Sequence, residues 1–242
     1  MIRVHSYESM GTFDGPGLRL VVFLQGCNFR CLYCANPDTI DLKGESKETT
    51  PEEIVRMAVS QKAFFGKKGG ITFSGGEPTL QAKTLIPLFR QLKEQGIHIC
   101  VDSNGSIWNN DVEELLKWTD LVLLDVKEFN DIRHRTLTER SNAQTLYTAE
   151  WLERNGKPFW LRYVLVPSYS AFEEDIRALG EHFKTYQMIQ RVEILPYHTL
   201  GVHKYEAMGK PYKLSGIKEN TPEQLDRAKA LFDEYFNTVY LN

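Results

Sequence analysis

The chain has 242 residues, of which 42% are hydrophobic and 25% charged, a composition typical of a globular protein with a sizeable core. Its 29 basic and 32 acidic residues are mixed along the chain and give a net charge of -3, so no nucleic-acid partner is expected. The amino terminus carries no signal peptide pattern, and the most apolar run, 18–26, is too short to cross a bilayer. We therefore expect a cytoplasmic protein without a membrane partner.

Six short apolar runs, rich in β-branched or aromatic residues, predict buried parallel strands. In chain order they are LRLVVFLQG (18–26), GITFSGG (70–76), IHICVDSNG (97–105), LVLLDVK (121–127), FWLRYVLVP (159–167) and RVEILPYH (191–198). Amphipathic stretches between them predict helices. Two of these begin with a capping box followed by proline, at Thr50 and Thr221, and weaker patterns cover 80–95, 111–118, 142–155 and 171–185.

Strands that alternate with helices predict an α/β fold with a parallel sheet. Such folds place their active sites at the carboxyl ends of the strands. The polar and glycine residues at those ends are therefore the candidate functional residues.

Three cysteines follow the first strand with the spacing C-x3-C-x2-C: Cys27, Cys31 and Cys34. A structural zinc site would need a fourth ligand, and the candidate histidines have no usual partner spacing. These candidates are His5, His98 and His198. A redox C-x2-C pair would leave Cys27 without a role, and buried structural cysteines seldom cluster in such a loop. An iron–sulfur cluster is favoured, because three thiolates leave one iron of a four-iron cluster open for a small chelating ligand.

The segment TFSGGEP (72–78) ends the second predicted strand. Its two glycines are typical of a tight strand-to-helix turn, which is the structural interpretation of this motif. The alternative is a functional turn that lies one strand after the cysteines.

The cysteine spacing, with Tyr33 before the last cysteine, resembles the signature of the radical S-adenosylmethionine (SAM) superfamily, and TFSGGEP resembles its Gly-Gly-Glu motif. Further segments resemble the family of pyruvate formate-lyase-activating enzymes. These are DGPGLR (14–19), FLQGCNFRCLYC (23–34), DSNG (102–105), LLDVK (123–127), LRYVLVP (161–167) and LPYHTLGVHKY (195–205). No cysteine lies between Cys34 and Ser74, where several other glycyl radical activases carry a ferredoxin-like insert.

The resemblance implies a partial (β/α)6 barrel of parallel strands, with residues 1–242 forming a single radical SAM core domain with short terminal extensions. It implies an oxidoreductase of anaerobic metabolism that holds a 4Fe-4S cluster and S-adenosyl-L-methionine. Reductive cleavage of SAM would yield a 5'-deoxyadenosyl radical, which would generate a glycyl radical on pyruvate formate-lyase. The implied partners are the glycyl radical domain of that lyase and a flavodoxin-like electron donor.

The resemblance also implies roles for individual residues. Cys27, Cys31 and Cys34 would ligate the cluster. The positions that match SAM contacts are Tyr33, Ala35, Gly75, Gly76, Glu77, Asp125, Lys127, Arg162 and His198. Those that match a monovalent cation site are Asp102, Ser103 and Asp125, and Asp14 matches the lip that receives the partner peptide.

Several of these positions have structural alternatives. Lys127 and Arg162 could be surface charges, and His198 could be a structural histidine. Asp102 and Asp125 could cap the turns that follow them. Ala35 replaces a histidine common in the family, so that only its backbone could contact adenine. Cys100, inside the third predicted strand, is expected to be an inert core residue.

Competing functions are a radical SAM enzyme for a small molecule, similar to 7-carboxy-7-deazaguanine synthase, or an activase of another glycyl radical enzyme. DGPGLR and LPYHTLGVHKY favour the pyruvate formate-lyase type. A non-enzymatic zinc or iron–sulfur interaction module would explain neither SGGEP nor the charged residues at the strand ends.

Overall fold

The computed structural model describes all 242 residues. Its strands are β1 (Ile2–Gly11), β2 (Arg19–Leu24), β3 (Lys47–Thr49), β4 (Gly70–Gly75), β5 (His98–Ser103), β6 (Leu121–Asp125), β7 (Phe159–Leu165), β8 (Ile189–Pro196) and β9 (Val239–Leu241). Its α-helices are α1 (Pro51–Phe65), α2 (Ala82–Glu94), α3 (Asn110–Trp118), α4 (Asp131–Thr138), α5 (Ala143–Arg154), α6 (Glu173–Phe183), α7 (Val202–Ala207) and α8 (Pro222–Asp233). Short 3-10 helices cover Pro37–Thr39 and Pro78–Gln81.

The chain forms two compact units. The first comprises Met1–Asn28 and Thr39–Leu123, and the second comprises Phe29–Asp38 and Leu124–Asn242. The division falls inside the cysteine loop, so Cys27 belongs to the first unit while Cys31 and Cys34 belong to the second. The expectation of a single domain over residues 1–242 stays a prediction.

In the first unit the strand order is β3-β1-β2-β4-β5. β1 pairs antiparallel with both β2 and β3, whereas β2 pairs parallel with β4, and β4 with β5. Leu24 lies opposite Gly75 in the parallel register, so β2 and β4 end at the same level. Their interior side chains, such as Leu20 and Ile71, are fully buried and form the core between strands and helices.

In the second unit β8 pairs parallel with both β7 and β9. The register places Arg162 opposite Glu193. Both α1 in the first unit and α8 in the second begin as their sequences predict. Thr50 and Thr221 each accept a hydrogen bond from the third helical N–H, and the side chain at that third position accepts one from the N–H of the cap residue.

All six predicted strands are confirmed, as are the six predicted helices, and the fold is mixed α/β with mostly parallel strands. The sequence interpretation missed β1, β3, β9, α4 and α7. Of these, α4 and α7 position the cysteine loop. No helix has the length and apolar character needed to cross a membrane.

Candidate active site

The two glycines of the Gly-Gly-Glu turn lie against the segment that leads into Cys27. Gly75 has a φ of 101°, in the left-handed region that favours glycine. A Cβ at Gly76 would lie 2.0 Å from the carbonyl oxygen of Gly26, so only glycine allows this approach. The N–H of Glu77 donates to that carbonyl at 2.7 Å. The turn is therefore bonded directly to the residue before the first cysteine.

The carboxylate of Glu77 is only 1% exposed and lies among hydrogen-bond donors. Its Oε1 accepts from the N–H of Thr79 at 3.0 Å, the hydroxyl of Thr79 at 2.6 Å and the hydroxyl of Ser103 at 2.8 Å. Its Oε2 accepts from the N–H of Asn104 at 2.8 Å. Burial raises the pKa of Glu77, and these hydrogen bonds oppose the rise. The side chain thus fastens the end of β4 to the end of β5.

Cys27 itself is held from both sides within the first unit. Its N–H donates to the carbonyl of Ile40 at 3.1 Å. The side chain of the next residue, Asn28, accepts from the amide of Asn104 at 3.1 Å and donates to the hydroxyl of Ser106 at 2.6 Å. The connection after β5 therefore positions the backbone that carries the first thiol.

The predicted cation ligands of the first unit, Asp102 and Ser103, are neighbours at the end of β5. Asp102 accepts a hydrogen bond from the hydroxyl of Ser74 at 2.7 Å, across to β4. The Ser103 hydroxyl donates to Glu77 and accepts from the N–H of Gly105 at 2.9 Å. Both side chains are thus oriented by neighbouring strand ends, and Ser103 also caps the turn after β5.

Asp14 lies in the segment before β2. Its carbonyl accepts from the hydroxyl of Thr72 at 2.6 Å, on the third residue of β4, which pairs with Val21 of β2. The guanidinium of Arg19, fully buried, also donates to that hydroxyl, and to the carbonyl of Pro16 at 2.9 Å. Sequence reasoning quoted Arg19 in DGPGLR but assigned it no role. A charged residue at the start of an apolar strand was the available signal.

In the second unit, the carboxyl end of α4 holds the cysteine segment 29–38. Arg30 and Leu32 donate their N–H groups to the carbonyls of Thr138 and Leu137, each at 2.9 Å. These are carbonyls that a helix end leaves without an intrahelical partner. The N–H of Cys34 donates to the carbonyl of Cys31 at 3.2 Å, which closes a turn between the second and third cysteines.

Lys127, after β6, provides positive charge beside this segment. Its Nζ lies 2.6 Å from a carboxylate oxygen of Asp125 and 5.7 Å from the ring centroid of Tyr33. Burial lowers the pKa of Lys127, but the negative groups nearby, Asp125 first, outweigh burial and hold the pKa well above its ordinary value. Burial also raises the pKa of Tyr33 well above its ordinary value, so its hydroxyl stays neutral. A charged ammonium therefore faces the cysteine segment.

The thiols are chemically suited to a thiolate-bound iron–sulfur cluster. None of the four cysteines forms a disulfide, and the three of the loop are half-buried. Burial raises the pKa of Cys34, while a hydrogen bond from the backbone of Asn36 and the charge of Lys127 lower it. N–H groups directed at sulfur are typical of cluster ligands, and a metal takes the place of the thiol proton. Cys100 differs, because it is fully buried in β5 and burial raises its pKa to about 12.

The segment after β8 packs on the end of the cysteine loop. A Cβ at Gly201 would lie 2.7 Å from the Cα of Ala35, so the two backbones are in direct contact. The Nζ of Lys204, on α7, lies 2.8 Å from the side-chain oxygen of Asn36 and 3.2 Å from the carboxylate of Asp38. Sequence reasoning missed Lys204, because a lysine in a short helix carries no distinguishing pattern.

Arg162 and His198 have different surroundings. The Nε of Arg162 lies 3.1 Å from a carboxylate oxygen of Glu193, which is 1% exposed, so Arg162 is a buried paired cation and not a surface charge. The other oxygen of Glu193 lies 3.0 Å from the Nε of Arg191. His198 is exposed, and its Nδ1 accepts from the N–H of Leu200 at 3.4 Å. A SAM contact of either residue stays a prediction.

Known proteins with similar sequences and folds place this arrangement in a family. The model of the Radical SAM superfamily matches residues 21–179. The chain is 44% identical to the pyruvate formate-lyase 1-activating enzyme of Escherichia coli K12, over 98% of this chain and 97% of the relative. It is 46% identical to the pyruvate formate-lyase-activating enzyme of Streptococcus mutans, over 96% of this chain and 93% of the relative.

Among solved structures, Streptococcus suis SuiB bound to its precursor peptide SuiA matches with a TM-score of 0.71 at 17% identity, over 93% of this chain and 49% of SuiB. That likeness shows the fold alone. The superfamily match and the identity to curated relatives also show the family, since they cover the cysteine loop and nearly the whole chain. The chain belongs to the pyruvate formate-lyase-activating enzyme family of the radical SAM superfamily.

Proposed function

We propose that this chain activates pyruvate formate-lyase by generating a glycyl radical on it, through reductive cleavage of SAM at a 4Fe-4S cluster. The observation that carries the proposal is the cysteine loop, which offers three cysteines in eight residues, none of them in a disulfide, and no fourth. Three thiolates leave one iron open for the amino and carboxylate groups of SAM. The names of the curated relatives support pyruvate formate-lyase as the substrate protein.

Cys27, Cys31 and Cys34 would hold the cluster. When bound, the cluster and SAM supply a 5'-deoxyadenosyl radical that abstracts a hydrogen atom from the α-carbon of a glycine. The chain itself positions the thiols through the bonds at Gly26, Asn28 and the end of α4. Lys127 and the N–H groups around Cys34 stabilise negative charge on sulfur.

For SAM, the backbone of Gly75, Gly76 and Glu77 would bind the methionine amino group, because the Glu77 side chain already has its own donors. Lys127 and Arg162 would attract the SAM carboxylate, with Asp125 orienting the lysine. The remaining proposed contacts are Tyr33, the backbone of Ala35, and His198.

Asp102, Ser103 and Asp125 would supply oxygen ligands to a monovalent cation, a donor set that suits hard ions. Asp14 would contact the glycine-bearing segment of the lyase. The cation, the partner-peptide contact and a single-domain organisation over residues 1–242 rest on the family resemblance.

The electron would come from a flavodoxin-like protein, and the chain would work in the cytoplasm. Three clustered cysteines without a disulfide support a reducing compartment.

The test is anaerobic reconstitution with iron and sulfide, followed by reduction, addition of SAM and pyruvate formate-lyase, and electron paramagnetic resonance. A glycyl radical doublet on the lyase is expected. Deoxyadenosine without that doublet would refute the proposed substrate, and a colourless protein with stoichiometric zinc would refute the radical chemistry.

Cys31→Ala should lose cluster iron and SAM cleavage. Cys100→Ala is the matched control, since it removes a thiol that lies outside the loop in β5, and it should keep both. SAM cleavage retained by Cys31→Ala would refute the cluster assignment.

A further inference from the structure

His134 lies inside the second unit, one turn before the end of α4, and is fully buried. Its ring forms a T-shaped contact with that of Phe29, with the centroids 5.5 Å apart and an angle of 78° between the planes. Phe29 is 1% exposed and is followed by Arg30, whose N–H donates to the carbonyl of Thr138. Arg30 is exposed, and its guanidinium donates to the carbonyl of Phe29 at 2.7 Å. The imidazole of His134 therefore packs directly on the cysteine segment.

A second contact joins His134 to the turn that follows α4. Its Nδ1 lies 2.7 Å from the carbonyl oxygen of Arg140, and because a carbonyl can only accept, Nδ1 carries the proton. The hydroxyl of Thr138 donates to the carbonyl of His134 at 2.8 Å and accepts from the N–H of Arg140 at 3.2 Å. These bonds hold the turn against the last residues of the helix. They thereby orient the Thr138 carbonyl, which receives the N–H of Arg30.

The surroundings of the other ring nitrogen favour a neutral imidazole. The Nε2 of His134 is buried and has no hydrogen-bond partner, so a second proton would leave a buried charged donor without an acceptor. The charged groups that act on the ring are Asp131 and Arg135 on α4 and Lys127 on the connection before it. Burial lowers the pKa of His134, and the positive charges of Lys127 and Arg135 add to the decrease. The Arg140 carbonyl and Asp131 oppose it.

We propose that His134, as a neutral imidazole, is a positioning residue for Cys31. The inference rests on the proposed function, because Cys31 is one of the three thiols proposed to hold the cluster. Cys31 lies between Arg30 and Leu32, whose N–H groups both donate to carbonyls at the end of α4. His134 fixes that helix end through its bond to the following turn and supports the segment through its ring contact. Loss of these contacts lets the Cys31 thiol move away from the place where it would bind iron.

Protonation of His134 links the position of Cys31 to pH. The pKa of His134 in the folded state is lowered from its ordinary value of 6.5. The stabilising contribution of the neutral ring is therefore fully present above pH 6.5 and is lost as the pH falls through the lowered pKa. Opening of the cysteine segment takes up one proton in that range, so its equilibrium constant rises by up to about 10-fold per pH unit of acidification.

Two substitutions separate the two contacts of His134. His134→Phe keeps a ring against Phe29 and loses the bond to Arg140, whereas His134→Asn keeps an amide donor at the position of Nδ1 and loses the ring. Neither replacement can gain a proton between about pH 5 and pH 8. His5→Asn, at a histidine of β1 in the first unit, is the control.

The measurement is hydrogen exchange of the full chain, without iron, between about pH 5 and pH 8, corrected for the pH dependence of intrinsic exchange. It is read at the amides of Arg30 and Leu32, and β4 in the first unit is the internal reference. Loss of iron to a chelator is then followed in the reconstituted chain at pH values across the same range.

In the wild type, the two amides should lose about 10-fold in protection from pH 7 to pH 5, while β4 stays unchanged. Both His134 variants should be several-fold less protected than the wild type at pH 7, lose iron several-fold faster there and show no such pH dependence, and His5→Asn should match the wild type. Wild-type protection that does not change with pH would overturn the proposal even if a variant fails to fold. Wild-type pH dependence in either His134 variant, or an equal loss of protection in β4, would also overturn it.

The two readouts keep this inference apart from the proposed function. Failure of the wild type to take up iron and sulfide would refute the proposed function. Exchange at Arg30 and Leu32 in the chain without iron would still decide whether His134 holds the cysteine segment.

Discussion

Replacing Glu128 with glutamine should stabilise the protein at alkaline pH. Glu128 directly follows Lys127 and is fully buried. Its Oε1 accepts from the N–H groups of Phe129 at 2.6 Å and Asn130 at 3.0 Å. Its Oε2 lies 3.1 Å from the hydroxyl of Tyr163. The carboxyl group therefore fixes the connection between β6 and α4, on which Lys127 lies.

Burial is the main reason why this carboxyl favours its neutral form, and the position of the Tyr163 hydroxyl is compatible with that form. This hydroxyl lies 2.7 Å from the carbonyl oxygen of Ser170, which can only accept. A tyrosine has one proton to donate, so donation to Ser170 leaves the contact with Glu128 without a proton unless Glu128 carries one. Burial first, and then the charge of Asp175, raise the pKa of Glu128 to about 7.

The size and the pH dependence of the change in stability follow from this pKa. A rise from the ordinary value of 4.5 to about 7 corresponds to about 3 kcal/mol of folding free energy. Because the folded state binds the proton more tightly, the contribution is fully present below pH 4.5 and is lost as the pH rises through about 7. Glutamine keeps an oxygen for the two N–H groups and places a donor against Tyr163, so it imitates the protonated form at every pH.

The assay is anaerobic urea denaturation of wild type and Glu128→Gln between about pH 5 and pH 8, followed by tryptophan fluorescence. The free energy of unfolding of the variant should exceed that of the wild type by an amount that grows with pH across that range, up to about 3 kcal/mol. Glu45→Gln, at an exposed glutamate, is the control and should show a constant difference. A Glu128→Gln variant that is less stable than wild type at pH 8, or whose difference does not change with pH, would refute this reasoning.

Three further predictions concern the site. Glu77→Gln should lower the free energy of unfolding by about 2 kcal/mol in urea denaturation, because the NH2 group of the glutamine would face the N–H of Asn104. Unchanged stability would contradict the role of Glu77 in joining β4 to β5. Gly76→Ala should lower the melting temperature far more than Gly66→Ala. A Cβ at Gly66 meets nothing within 4 Å, so that change costs only the strain of a φ of 56°, whereas a Cβ at Gly76 would lie 2.0 Å from the carbonyl oxygen of Gly26. Equal shifts in thermal unfolding would contradict the close approach at Gly76. Lys204→Met should speed the loss of cluster iron to a chelator several-fold, measured by absorbance bleaching. Lys229→Met, at a lysine paired with Asp233 on α8, is the control and should not change the rate. Equal rates in the two variants would show that Lys204 does not hold the loop.

The elements that the sequence predicted well have strong local signals. Five of the six predicted strands are mostly buried, and α1 and α8 carry complete capping boxes. By contrast, β1 has four intermediate and three exposed residues, so its strand character comes from pairing with β2 and β3. The helix α4 has only three buried residues and little apolar periodicity. Its role depends on carbonyls at its end, which no side-chain pattern records.

In the candidate site, too, local patterns were predicted from the sequence and contacts between distant residues were not. The motif residues of the Gly-Gly-Glu turn were found from sequence, because glycines at a strand end are a local signal. The role of the Glu77 side chain was not predicted, since its hydrogen-bond donors come from residues up to 27 positions away. The resemblance also assigned Asp14 to the lip that receives the partner peptide, and the structure adds that its carbonyl accepts a hydrogen bond from Thr72 of β4.

Glu193 holds the side chain of Arg162 in place within the second unit. Its carboxylate is shared between Arg162 and Arg191, whose Nε atoms lie 3.1 Å and 3.0 Å from its two oxygens. Arg191 in turn packs on aromatic faces, 4.5 Å from the Trp160 centroid and 3.9 Å from the Tyr240 centroid. A guanidinium that is already oriented loses little conformational freedom when it binds a ligand. The pairing with Glu193 is therefore compatible with the proposed contact between Arg162 and the SAM carboxylate.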